Sequence, residues 1–125
     1  MLQPAHTVKQ YQKDPDPLTF AAGDLIFKEG DQGEYMYGIL EGQVEMTIEG
    51  KSVETLEAGD IFGEGALVHS DRLRMSTAIA KTDCQLAYLN EEHFLFAVQE
   101  TPMFALQVMR SYSDRFRRFK ALSIS

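Results

Sequence analysis

From Leu18 to Asn90 the chain is written in short runs of β-forming residues, cut by Gly-Asp or Glu-Gly pairs at 23–24, 30–31, 41–42, 49–50 and 59–60. Such regular punctuation predicts an all-β sandwich or barrel. Within Gln43–Glu49 the apolar residues Val44, Met46 and Ile48 alternate with polar ones, so one face of a strand is buried and the other solvated. Glu49-Gly50 then signals a tight turn into Ser52–Leu56, which predicts an antiparallel hairpin with Val53 on the same inner face. Met46 and Val53 become candidate lining residues. Two more strands are predicted at Met75–Ala80 and Gln85–Leu89, and a helix starts at Asn90 with Glu91 and Glu92 in its first turn.

The two ends read differently. Residues 1–16 form a polar arm with a weak helical signal around Val8–Tyr11, and Asp14-Pro15-Asp16-Pro17 disfavours its continuation. Past Pro102, the residues Ala105, Met109, Tyr112, Phe116 and Phe119 recur at spacings of 4, 3, 4 and 3, which places them along one stripe of an amphipathic helix. The expected division is an arm over 1–16, a β-body over 17–90 and helices over 91–122, all within one domain spanning 1–125. The stripe carries many large groups for the edge of one small domain, which suggests a homodimer formed through this helix.

Composition narrows the function classes. A chain of 125 residues supports one core, and 44% apolar with 25% charged residues is ordinary for a globular protein. No apolar run approaches the roughly 20 residues of a membrane span, and Met1-Leu2-Gln3-Pro4-Ala5-His6 lacks the order of a signal peptide. A cytoplasmic location and no membrane partner are expected. Cys84 is the one cysteine, so neither an internal disulfide nor a cysteine-based zinc site is available. The net charge of −7 repels nucleic acid. Arg115, Arg117, Arg118 and Lys120 on the last helix therefore read as a solvated face rather than a nucleic-acid contact. His6, His69 and His93 show no metal-ligand spacing, and no Ser-His-Asp set emerges. The expectation is no enzyme, no catalytic residue and no metal.

The segment with chemistry in it is Gly59-Asp60-Ile61-Phe62-Gly63-Glu64-Gly65-Ala66-Leu67, a glycine-rich turn passing into a short helix. Its glycines let the backbone approach a ligand closely, and the unpaired N–H groups of a helix start suit a phosphate. Glu64 would repel a phosphate but accept a hydrogen bond from a sugar hydroxyl beside it, so phosphate plus ribose suggests a nucleotide. Ten residues on, Arg74 precedes Met75-Ser76-Thr77 and could fold back over the phosphate. Arg72 could take that part if the His69-Ser70-Asp71 loop is shorter. Taken singly, without the surrounding pattern, Glu64 reads rather as a favourable first-turn acid and Arg74 as a solvated charge at a strand edge.

As an ordered set, Phe62-Gly63-Glu64-x-Ala66-Leu67 followed by Arg74-x-Ser76-Thr77 resembles the phosphate-binding cassette of cyclic-nucleotide-binding domains. These occur in bacterial catabolite activators, cAMP-dependent kinase regulatory subunits and gated ion channels. Gly23-Asp24, Glu29-Gly30-Asp31, Met36-Tyr37 and Glu41-Gly42 extend the resemblance over most of the chain. It implies a mainly β fold, an antiparallel β-jelly-roll or double-stranded β-helix, flanked by N-terminal and C-terminal helices. It also implies that Glu64 accepts the ribose 2′-hydroxyl, that Gly63, Gly65 and Ala66 offer backbone N–H groups, and that Arg74 pairs with the cyclic phosphate. Met75 stands where many relatives carry Ser or Thr, which speaks against cGMP selectivity. Phe119 and Lys120 stand where the bacterial activators supply hydroxyls to adenine, and Phe119 could serve as an aromatic cap.

Three readings follow. In the first, cAMP or a related cyclic nucleotide, with no other cofactor, is captured by Gly63–Ala66 and Arg74 beside Met75, Ser76, Met46 and Val53. The terminal helix then shifts and biases a dimer or an effector protein. In the second, a jelly-roll that does not bind cyclic nucleotides serves as an interaction module or senses another small anion. A metal-dependent enzyme of the related cupin architecture is the third. The chain stops at Ser125, so the helix-turn-helix that follows the long helix in bacterial activators is not expected within it.

Overall fold

A computed structural model describes residues 3–124 of the chain. In chain order the elements are α1 (Pro4–Tyr11), β1 (Leu18–Phe20), β2 (Leu25–Phe27), β3 (Met36–Glu41), β4 (Gln43–Ile48), β5 (Lys51–Glu57), β6 (Ile61–Phe62), α2 (Gly65–Val68), β7 (Thr77–Ala80), β8 (Cys84–Leu89), α3 (Glu91–Glu100) and α4 (Met103–Ile124). The strands make two four-stranded sheets, ordered β1-β8-β3-β6 and β2-β7-β4-β5, with antiparallel pairing throughout. Each sheet takes strands from both halves of the β-body, the interleaving of a jelly-roll. This is the mainly β antiparallel jelly-roll, flanked by helices, that the sequence implies.

Two apolar clusters hold it together. Between the sheets lie Ile39, Val44, Leu56, Phe62 and Leu86, all at or near zero exposure. A second cluster, Val8, Met36, Ile61, Leu89, Ala97 and Phe104, sits between the first sheet and helices α1, α3 and α4. Each fully buried side chain of this size contributes about 1.5–3 kcal/mol. β3 therefore buries both faces, and Gly38 within it lets α1 lie directly on the strand: a Cβ there would sit 2.8 Å from the Ala5 Cα.

The β4–β5 hairpin turns at Glu49 and Gly50, whose φ values of 50° and 79° are those a two-residue type I′ turn needs. Its register is not uniform. Thr47 faces Ser52, but Met46 faces Glu54, leaving Val53 as an extra residue on β5. This bulge changes which side chains face inward. Val44 and Met46 are buried as expected, whereas Ile48 lies beyond the bulge near the hairpin tip and is 42% exposed. The seventh strand also differs from expectation, pairing only from Thr77 because Met75 and Ser76 bend away from the sheet.

Asn90 caps α3, its side-chain oxygen accepting the His93 N–H at 2.8 Å. α4 is docked through Phe104, Gln107 and Val108. The adjacent row Met109, Tyr112, Phe116 and Phe119 is 45–67% exposed, so the apolar stripe read from the sequence does not pack on the barrel. No described helix is long and apolar enough to cross a membrane.

Candidate functional site

The turn after β6 is shaped around one guanidinium. Gly63 has φ 80°, and a Cβ there would meet Nη1 of Arg74 at 2.8 Å, so the position requires glycine both for backbone conformation and for space. Glu64 stands at the N-cap of α2, but its side chain makes no cap bond. Instead it turns inward, is 2% exposed, and Oε1 accepts from Nη1 of Arg115 at 3.3 Å. A simple first-turn acid would be solvated and near the helix N–H groups, so that reading does not describe Glu64.

Arg74 is held by a short ladder between residues 30–33 and 72–74. The Gly33 N–H donates to the Arg72 carbonyl, the Arg74 N–H to the Asp31 carbonyl and the Gly30 N–H to the Arg74 carbonyl, each at 2.8 Å. The side chain then runs inward over the Phe27 ring, with Cζ 4.1 Å from its centroid. Nη1 donates to the Gly63 carbonyl at 2.7 Å and Nη2 to the Tyr35 carbonyl at 2.6 Å. At 5% exposure this is not a solvated strand-edge charge. No carboxylate lies within ion-pair distance of it among the described residues. Burial pulls its pKa below the ordinary arginine value, partly opposed by Tyr37, Glu64 and Asp31. Arg72, the alternative phosphate partner, has φ 57° and pairs with Glu91 on α3, away from this turn.

These groups enclose a pocket of about 240 Å³ that brings together Met46, Gly63, Glu64, Gly65, Ala66, Arg74, Met75 and Ser76. Two residues singled out in the sequence lie elsewhere. Val53 and Phe119 line an adjoining groove of about 460 Å³ between the β4–β5 hairpin and α4. The bulge at Val53 and the exposed position of Phe119 on α4 account for this. Tyr112 and Arg115 border both spaces and join them.

Arg115 is the main residue that the sequence reading misplaced. It is not part of a solvated basic face: its side chain is 20% exposed, and it grips Glu54 through Nε–Oε1 at 2.9 Å and Nη2–Oε2 at 3.0 Å while also reaching Glu64. Burial acts to lower its pKa, but the Glu54 hydrogen bonds and the Glu64 and Glu54 charges outweigh it and raise the pKa above the ordinary value. A signal was present in the chain. Phe104, Val108, Ser111 and Arg115 recur at spacings of 4, 3 and 4, a second row beside the apolar stripe, and that row is the one facing the barrel. Phe27, Leu73 and His69 also border the pocket and carried no sequence signal for it. Among the described residues no group of three or more His, Cys, Asp or Glu is placed to hold a metal ion.

Chemically, the pocket offers a buried carboxylate with one oxygen committed and the other, Oε2, without a partner. Beside it is a buried cation with no counter-ion and with Nε also unpartnered. These are the two unpaired buried side-chain atoms among the described residues. Such groups are costly unless a ligand completes them.

A family model described as cyclic nucleotide-binding domain matches residues 17–101. A cAMP-dependent protein kinase regulatory subunit from Emericella nidulans is 38% identical over 81 residues, covering 63% of this chain and 19% of that protein. A cGMP-dependent protein kinase from Drosophila melanogaster is 33% identical over 98 residues, 78% of this chain and 9% of that protein. The chain thus spans less than a fifth of the length of these relatives. Among solved structures, the Thermus thermophilus catabolite activator protein superposes with a TM-score of 0.77 at 24% identity, over 99% of this chain and 58% of that one.

Proposed function

The chain belongs to the cyclic nucleotide-binding domain family, and on that premise we propose that it is a cAMP sensor whose pocket takes the ribose and phosphate between Glu64 and Arg74. The family is a binding and regulatory one, not a catalytic one. The observation that carries the proposal is that two buried charged residues lining one pocket, Glu64 and Arg74, each keep a side-chain atom without a partner, and that the guanidinium has no counter-ion among the described residues. A ribose hydroxyl would answer the carboxylate and an anionic phosphate the guanidinium, and Gly63, Gly65 and Ala66, which line the same pocket, would offer backbone N–H groups. Met75 carries no hydroxyl and is 74% exposed at the rim, which supports cAMP over cGMP. No metal or further cofactor is required, and the cytoplasm is the proposed site of action.

The output runs through α4. Glu64 holds Arg115 of α4 through Oε1 while its unpartnered Oε2 would take the ribose hydroxyl, so occupancy of the pocket and the position of α4 are linked through one carboxylate. The exposed stripe of α4 then meets a second copy or an effector protein. Calorimetric titration with cAMP and cGMP tests this: cAMP binds more tightly than cGMP, and Arg74→Ala weakens cAMP by roughly 10- to 150-fold, the worth of one charge-assisted contact. Absence of heat with either nucleotide, in folded and ligand-free protein, would refute the proposal.

One observation favours a second reading, a module for another small anion or for a protein partner. Nη1 and Nη2 of Arg74 are already engaged by the carbonyls of Gly63 and Tyr35, so the guanidinium must turn to meet a phosphate.

A further inference from the structure

The outer face of α4 carries a charge pattern as well as apolar groups. Leu106, Met109, Ser113, Phe116 and Lys120 recur at spacings of 3, 4, 3 and 4, the a and d positions of a heptad repeat. Phe104, Gln107, Val108 and Arg115, which hold the helix on the barrel, all fall at the b, c and f positions of the same repeat. The seam is therefore left uncovered, and its Leu106, Met109 and Phe116 are 55–67% exposed. Arg110 and Arg117 each follow a d position and so flank the seam at e, while Lys120 lies within it. The one acidic residue of α4, Asp114, is at b and borders the space beside Gln3 and Pro4 instead. From α4, this face offers apolar groups and cations and no carboxylate.

A second copy answers that pattern poorly. Parallel pairing of α4 with itself sets Lys120 against Lys120, antiparallel pairing sets the e-position arginines against each other, and neither supplies an acid. An anionic lipid surface answers it poorly too. Of the chain's 19 acidic residues α4 holds one, and of its 12 basic residues five, which leaves 18 acidic against 7 basic in a body that such a surface repels. A single helix packs about 8–10 Å from the α4 axis, with α4 itself between it and the acidic barrel.

We propose that the outer face of α4 is the docking surface for an acidic amphipathic helix of a partner protein. Apolar residues of that helix cover Leu106, Met109 and Phe116, and its carboxylates meet Arg117 and Lys120. The inference concerns the output face and does not depend on what fills the pocket.

The test uses nucleotide-free protein and two labelled synthetic peptides of about three heptads, both with Leu at a and d, one with Glu and the other with Lys at e and g. Fluorescence polarisation should show the Glu peptide bound roughly tenfold or more tightly than the Lys peptide. The gap should close at about 1 M salt, where charges are screened beyond about 3 Å. Arg117→Gln with Lys120→Gln should erase the preference, and Arg117→Glu with Lys120→Glu should invert it, in variants whose circular dichroism matches the wild type. Binding of neither peptide, or equal binding of both, would overturn the inference. So would a wild-type dimer that excludes the Glu peptide, which assigns the face to a second copy, or retention on phosphatidylserine vesicles without preference between the peptides, which assigns it to a membrane.

Discussion

At the scale of single residues, function is written here as unsatisfied chemistry. Glu64 and Arg74 are each almost completely buried, and each keeps a polar atom without a partner. A chain selected for stability alone would pair or remove such groups. Tyr112 responds to the same carboxylate. Burial, and then the neighbouring Glu64 charge, raise its pKa above the ordinary tyrosine value. The unfolded chain therefore loses this proton first, and above about pH 10 the unfolded state binds fewer protons than the folded one, so stability falls as pH rises. Tyr37, raised chiefly by burial, acts in the same direction. Tyr112→Phe should remove part of this alkaline loss, seen as a urea midpoint that declines less between about pH 9.5 and 11 than that of the wild type. An unchanged slope would mean that Tyr112 titrates as it does in the unfolded chain.

Among the elements, local signals were legible and long-range ones were not. The Glu49-Gly50 turn, the alternation along β4 and the start of α3 at Asn90 could be read from neighbouring residues because turn geometry, strand period and capping are local. Asn90→Ala should cost about 1 kcal/mol, the usual worth of an N-cap, and a thermal melt showing no loss would mean that the bond to the His93 N–H is replaced by water. The bulge at Val53 was not legible, since it depends on how β5 meets β4, and it is what exposes Ile48 and turns Glu54 towards α4. The glycine-rich turn with Arg74 could be read as a set, yet the ladder of residues 30–33 that carries Arg74 inward could not. Arg115 was hidden for a similar reason: beside Arg117 and Arg118 it looks like one of several surface charges, and only the fold brings Glu54 and Glu64 to it.

For the whole molecule, charge and apolar surface are both concentrated in α4. This helix holds five of the twelve Lys and Arg residues and one of the nineteen acidic ones, so a basic helix lies along an acidic barrel. Its second half is tied to the barrel by Arg115 and Arg118 on Glu54 and by Arg115 on Glu64, while its apolar stripe stays largely exposed, with Tyr112, Phe116 and Phe119 forming one wall of the groove beside the β4–β5 hairpin. Stripe spacings of 4 and 3 are those of a two-helix seam. If that seam joins two copies, sedimentation at increasing protein concentration should reveal a dimer, and Phe116→Glu should hold the protein monomeric without changing its fold. A wild-type monomer at all concentrations would leave the stripe to an effector protein. The central claim, that Glu64 meets a ribose hydroxyl within the pocket, is tested most directly by titrating wild type and Glu64→Ala with cAMP and with 2′-deoxy-cAMP. Wild-type protein should bind cAMP about 10- to 100-fold more tightly than the deoxy analogue, and the difference should vanish in Glu64→Ala. A difference that persists in the variant, or no preference in the wild type, would contradict the role assigned to Glu64.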